Sequence, residues 1–256
     1  MQQDSLLGKR KVSLWTPDHF RLSTPILIAH DGQNCFDGSH SLSGFGWELD
    51  KAALGIREAG LPEPLILAPW NADEKRIMEY TPEEILRSNP KWLEAYQSVT
   101  EEIYEPCGNA YIDWLVENLL PWAASEFGIE LSRNRTALLG SSLGGLVSIT
   151  ALSRYPDVFE GALCVSTHWT IEDIAFAKSC VDQLPPPGNH RLWLDYGDSG
   201  LETEALPIHQ YVDKLLKDAG WSEYIVHTVF PGTDHTERDW RLRAFEILKF
   251  WISGIQ

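Results

Sequence analysis

The string Gly140-Ser141-Ser142-Leu143-Gly144-Gly145 follows an apolar run and precedes a stretch with helical spacing. A serine in that layout tops a sharp strand-to-helix turn, a nucleophile elbow, and offers one atom for chemistry, the Ser142 hydroxyl oxygen. The flanking glycines answer a steric demand, because the serine backbone is strained and larger neighbours would collide with the strand or the helix. A serine hydroxyl is a poor nucleophile near neutral pH. It needs a base within hydrogen-bond reach and a group that orients that base. The chemistry to expect is acyl transfer through a serine.

In chains built this way the acid follows the serine, and the histidine follows the acid. Five of the eight histidines lie downstream: His168, His190, His209, His227 and His235. His235, in Pro231-Gly232-Thr233-Asp234-His235, falls in a loop between the last expected strand and the last expected helix, which is where a base belongs. His227 falls mid-strand, His209 within a helix and His190 on the wrong edge of the sheet, so structural roles are expected for them. The acid should follow a strand ending at Tyr196, in Asp195-Tyr196-Gly197-Asp198-Ser199-Gly200-Leu201-Glu202. Asp195 sits inside the strand end, and spacing favours Glu202 over Asp198 only narrowly. An oxyanion hole takes two N–H donors aimed at the developing charge. One is the amide of Leu143. The other is expected in Asp31-Gly32-Gln33, where Gly32 lets the chain turn and present the Gln33 amide; a plain Asp-Gly turn is the alternative.

The elements that must carry these residues alternate along the chain. Strands are expected at 11–15, 25–29, 64–69, 136–139, 162–165, 192–196 and 224–230 from short apolar runs bounded by turn residues. Helices are expected at 111–124, 143–155, 208–219 and 240–251 from apolar residues at helical spacing, with Pro121 kinking or ending the first and Gly220 capping the third. This alternation predicts an α/β fold, a mostly parallel sheet with helices on both faces. The stretch 38–106, rich in Trp, Tyr, Pro and Glu, reads as less regular, and long loops there would shape the substrate pocket.

Composition narrows the class. The 256 residues suit one α/β domain, and 43% hydrophobic with 23% charged residues is ordinary for a globular enzyme. A formal net charge of −16 argues against a nucleic acid or an anionic membrane as partner, since phosphate binding needs a basic face. No apolar stretch approaches the ~20 residues of a membrane span, and the first eight residues lack the basic start and apolar core of a secretion signal. The expected location is therefore cytoplasmic. Cys35, Cys107, Cys164 and Cys180 are widely spaced with no metal pattern, and free thiols are expected.

Together, His30-Asp31-Gly32-Gln33-Asn34-Cys35-Phe36-Asp37, the elbow and Gly232-Thr233-Asp234-His235 resemble the esterase branch of the α/β-hydrolases. That branch includes esterase D, the enterobactin esterases, feruloyl and acetyl-xylan esterases and the mycolyltransferases. The resemblance runs from about Ile26 to the C-terminus, with Ser141 where relatives often carry His. It implies an α/β-hydrolase fold and hydrolysis of a small-molecule carboxylic ester without metal or cofactor. The implied triad is Ser142, His235 and Glu202, the last because Gly197 to Leu201-Glu202 matches the family's acid loop. It also supports Gln33 as the second oxyanion donor. Arg76 and Tyr80 resemble a segment that approaches the pocket in relatives; Arg76 would hold a substrate carboxylate or form a salt bridge. His168 and Trp169 follow a strand beside the elbow and either touch substrate or pack under the loop. Trp47 lines the pocket or staples a helix start. The same triad would also serve an acyltransferase or a thioesterase, whereas a non-catalytic binding protein would be expected to lack the serine or the histidine.

Overall fold

In the computed structural model, which describes residues 9–41, 43–98, 105–169 and 174–255, the apolar runs become strands of one sheet. They are β1 (Val12–Trp15), β2 (Ile26–Ala29), β3 (Leu65–Pro69), β4 (Thr136–Ser141), β5 (Gly161–Val165), β6 (Arg191–Gly197) and β7 (Ile225–Phe230). Their order across the sheet is β1-β3-β2-β4-β5-β6-β7. β1 runs antiparallel to β3, and every other pair is parallel. The helices are α1 (Leu49–Glu58), α2 (Arg76–Tyr80), α3 (Glu83–Ser88), α4 (Pro90–Ser98), α5 (Gly108–Trp114), α6 (Leu120–Phe127), α7 (Leu143–Arg154), α8 (Ala175–Asp182), α9 (Glu202–Asp218), α10 (Glu237–Trp240) and α11 (Ala244–Ile252).

Every residue of β2, β3, β4 and β5 is buried. This is the consequence of helices covering both faces, and it explains why these strands are apolar runs with no polar alternation. Successive side chains of β2 go to opposite sides: Ile26 and Ile28 join the core under α2 to α9, and Leu27 and Ala29 join the core under α1, α10 and α11. Each such buried aliphatic side chain contributes about 1.5–3 kcal/mol, so the strand ends that carry the site are firmly anchored. The chain runs from β2 outward to β3, then crosses to β4 on the other side of β2. The loops after β2 and β4 therefore leave the sheet side by side, and such a switch point is where open α/β sheets bind ligands.

Three expectations change. Pro121 does not terminate the helical run: regular α-helix stops at Trp114, a π-helical turn follows over Leu115–Leu119, and Pro121 sits in the first turn of α6, which continues to Phe127. The helix expected from residue 208 begins at Glu202, with Pro207 inside it. The stretch 38–106 is more regular than expected, holding α1 to α4 as well as β3; within it, residues 42 and 99–104 lie outside the described residues, as do residues 1–8. Among the described residues no helix is long and apolar enough to cross a membrane, and all four cysteines are free.

Candidate active site

Ser142 stands between β4 and α7 with φ 56° and ψ −123°, a backbone conformation that costs a non-glycine residue free energy. The surroundings hold it there. Its N–H donates to the Val165 carbonyl at 2.9 Å, and its own carbonyl accepts from Gly145, Leu146 and His168 at 3.1, 3.3 and 3.2 Å. The glycines are needed because a Cβ on Gly140 would lie 2.4 Å from the Gly144 carbonyl, and one on Gly145 would lie 2.3 Å from Thr167 Oγ1. Leu143 opens α7, so its N–H has no partner within the helix. No acceptor among the described residues takes that N–H, nor the backbone N–H of Gln33.

The loop after β2 is clamped at Asp31, another residue with positive φ, 58°. The Asp31 carboxylate accepts a two-pronged bond from Arg76, Nε and Nη2 each at 2.7 Å, and a third bond from Asn71 Nδ2 at 2.6 Å. Its N–H donates to the Tyr80 hydroxyl at 3.1 Å. Burial pushes the Asp31 carboxyl up, but the Arg76 guanidinium outweighs this and holds it below the usual carboxylate range. Of the two expectations for Arg76, the salt bridge is the arrangement present. The fork of Arg76 is occupied by Asp31, and Tyr80 is fully buried beneath the loop. Asn34 Nδ2 then donates to Glu237 Oε1 at 3.0 Å, tying this loop to the segment just past His235. Gly32 makes the loop possible: its N–H donates to the Pro69 carbonyl at 2.9 Å, and a Cβ there would sit 2.0 Å from the Ala68 carbonyl oxygen. Gly32→Ala is expected to push the Gln33 amide out of place and lower kcat by about 10²-fold or more, the usual loss for one oxyanion donor, which steady-state kinetics would measure.

His235 and Glu202 meet as expected, with His235 Nδ1 3.0 Å from Glu202 Oε1. Glu202 is 1% exposed and His235 25% exposed, so the carboxylate is sealed while the imidazole keeps an open face. Burial pushes Glu202 up, yet the bond from His235 and the nearby Ser166 hydroxyl draw it below the ordinary glutamate value. Asp198, the alternative acid, is exposed and accepts the Gly232 N–H at 2.6 Å. It belongs to a set of bonds that zip the acid loop to the histidine loop. Ser199 N–H donates to the Thr233 carbonyl at 3.1 Å, and Leu201 N–H donates to Asp234 Oδ1 at 2.9 Å. Trp240 meets the His235 ring edge-on at 5.0 Å, and Trp47 packs behind Trp240 at 5.5 Å. Trp47 and Trp169 are buried, so they pack beneath the site, whereas His168 is exposed beside Ser142.

Sequence reasoning missed the buried support of this pair. Ser166, with φ 46°, accepts from Trp240 Nε1 and Arg243 Nη2, each at 3.0 Å. Arg243 is 1% exposed; it also reaches Thr233 Oγ1 at 3.2 Å and Asp195 Oδ1 at 3.0 Å. Burial pushes the Asp195 carboxyl up to about 6, against the pull of Arg243. The signal was available, since Arg243 shares a helical face with the apolar Trp240, Ile247 and Trp251, where a charge must find a partner. Arg243→Met is expected to leave Asp195 buried without its cation and destabilise the fold by about 3–5 kcal/mol, read as a fall in the urea midpoint. Among the described residues no group of three or more His, Cys, Asp or Glu is arranged to hold a metal ion.

A mostly parallel sheet with a strained serine elbow at its centre and an Asp/Glu–His pair beyond it defines an α/β-hydrolase-fold esterase. Residues 4–250 match the family described as "Putative esterase", and the chain belongs to that esterase family of carboxylic ester hydrolases. It is 23% identical over 225 residues to the uncharacterized protein YbbA of Bacillus subtilis (strain 168), covering 84% of this chain and 81% of that protein. The enterobactin esterase FES from Shigella flexneri is similar in fold, with a TM-score of 0.69 at 15% identity over 97% of this chain; the chain spans only 57% of that protein's length. A ferulic acid esterase is similar as well, with a TM-score of 0.65 at 15% identity, covering 100% of this chain and 96% of the other.

Proposed function

We propose that the protein hydrolyses a small carboxylic ester through an acyl-enzyme on Ser142. The observation that carries this reading is the sealed Glu202 bonded to the half-open His235, on loops tied to the Ser142 and Gln33 loops. His235 Nε2 takes the Ser142 proton as Oγ attacks the ester carbonyl. The tetrahedral oxyanion accepts from the unpartnered N–H groups of Leu143 and Gln33. His235 then returns the proton to the leaving alcohol, and water activated by the same imidazole releases the acid. Glu202 keeps the Nδ1 proton of His235 in place and balances the imidazolium. His168, exposed beside Ser142, lies at the mouth as a substrate contact, and Arg76, Tyr80, Trp47 and Trp169 act beneath it as supports.

Relatives are named for enterobactin and for ferulic acid, so catecholate and feruloyl esters belong beside acetyl and butyryl esters in a hydrolysis panel. Treatment with a fluorophosphonate followed by mass spectrometry tests the mechanism. An adduct on Ser142 together with loss of hydrolysis is the expected result, and hydrolysis that survives unlabelled overturns it. Added alcohols distinguish transfer from hydrolysis in the same assay.

A further inference from the structure

The acid of the pair has a second oxygen that the mechanism above does not use. Glu202 Oε2 is buried and has no hydrogen-bond partner within 3.5 Å among the described residues. Leaving a carboxylate oxygen desolvated and unpartnered is costly. The same helix carries His209, two turns further on, where a residue falls on the same face. Its Nε2 is also buried without a partner, and it stands 3.9 Å from Glu202 Oε2. The two side chains are 2% and 1% exposed, so water does not compete for either. The imidazole is stacked on Tyr196 of β6 at 4.3 Å and 8° between planes, which fixes the plane in which Nε2 points. The Ser166 hydroxyl also acts on this carboxylate, but neither the His209 nitrogen nor the Glu202 oxygen has a partner within 3.5 Å, and the two stand 3.9 Å apart, less than one ångström beyond hydrogen-bond length.

We propose that His209, neutral and protonated on Nε2, donates to Glu202 Oε2 and so acts as a positioning residue of the catalytic acid. Glu202 is then held at both oxygens, by His235 on Oε1 and by His209 on Oε2. A carboxylate gripped at one oxygen can still turn about its last torsion; gripped at both, it keeps Oε1 on His235 Nδ1 while the proton moves. Burial is the main reason that His209 stays uncharged, its value pushed down to about 4 against the pull of Glu202, with His227 and His235 lowering it further. A neutral donor orients the acid without cancelling the negative charge that His235 needs.

The proposal rests on Glu202 being the acid, and its test separates the two ideas. His209→Phe keeps the stack on Tyr196 but removes the donor, whereas His209→Gln keeps a donor. With His209→Phe, kcat is expected to fall about tenfold at an unchanged KM, the equivalent of one lost hydrogen bond. The acid limb of kcat/KM should move to higher pH, because the acid's negative charge is no longer shared with a donor. His209→Gln should recover most of kcat. Wild-type kcat with an unmoved pH profile in His209→Phe overturns the proposal, as does an equal loss in both variants. Should neither variant fold, ¹⁵N-resolved NMR of the wild-type protein decides: a proton on His209 Nε2 is expected, and a proton on Nδ1 alone overturns the idea. Absence of a fluorophosphonate adduct on Ser142 would instead remove the triad reading, while the tautomer of His209 would still be measurable.

Discussion

Ser142→Ala is expected to lower kcat for ester hydrolysis by about 10⁵- to 10⁶-fold, the loss that follows removal of the nucleophile from a serine triad. The size of the effect comes from the loss of the acyl-enzyme route, since the N–H donors at Leu143 and Gln33 and the binding site would survive. The folded state should not suffer. Alanine keeps a Cβ in the same strained backbone of φ 56° and ψ −123°, so the thermal midpoint should stay close to that of the parent protein. Ser142→Gly should be equally inactive yet more stable, by about 1–3 kcal/mol, because glycine adopts this conformation without strain. Kinetics paired with thermal melts of both variants check the two halves together. Retained hydrolysis in Ser142→Ala would remove the mechanism altogether.

Glu202→Gln is expected to lower kcat about 10⁴-fold near neutral pH, because an amide offers His235 a donor as readily as an acceptor and can hold the wrong tautomer. Asp198→Asn should stay within about tenfold of the parent, since Asp198 is exposed and bonds the backbone of the histidine loop, not the imidazole. The pair of variants therefore tests which carboxylate serves. Glu202 also makes a pH-dependent contribution to stability. Its value in the folded protein is depressed: burial raises it, but the His235 bond and the Ser166 hydroxyl lower it further. The unfolded chain thus binds that proton more readily than the native one. The stabilisation is fully present above the ordinary glutamate range and is lost as pH falls through the depressed folded value. Urea titrations at neutral and acidic pH should show the parent losing more stability on acidification than Glu202→Gln.

The elbow and the histidine loop were legible because each is a local object. Gly140 is required by the backbone of Gly144 and Gly145 by Thr167 just past the adjacent strand, and His235 is placed by its position after the last strand. Strands β2 to β6 were visible for a related reason, since burial on both faces turns a strand into an apolar run. The helices α1 to α4 were less visible, being short and interrupted by proline and glycine, with their apolar faces matched to neighbours distant in sequence.

Sequence alone pointed to Ser142, His235 and the Leu143 amide and to a parallel sheet to carry them, because turn geometry and strand order leave residues of those types few other places to go. Spacing and the family resemblance already favoured Glu202 over Asp198, but only the tertiary structure puts its carboxylate on the imidazole: four residues apart on one loop, the two differ in which of them helix α9 turns inward toward His235. The partners of Arg76, Tyr80 and Arg243 are likewise visible only in the tertiary structure. Arg76 meets Asp31 across 45 residues, and Arg243 meets Ser166 across 77. A charged or phenolic side chain looks the same in sequence whether it faces substrate or supports a loop. Only the packing of distant segments fixes its partner, because desolvation makes a buried charge take whatever counter-charge the fold brings within reach.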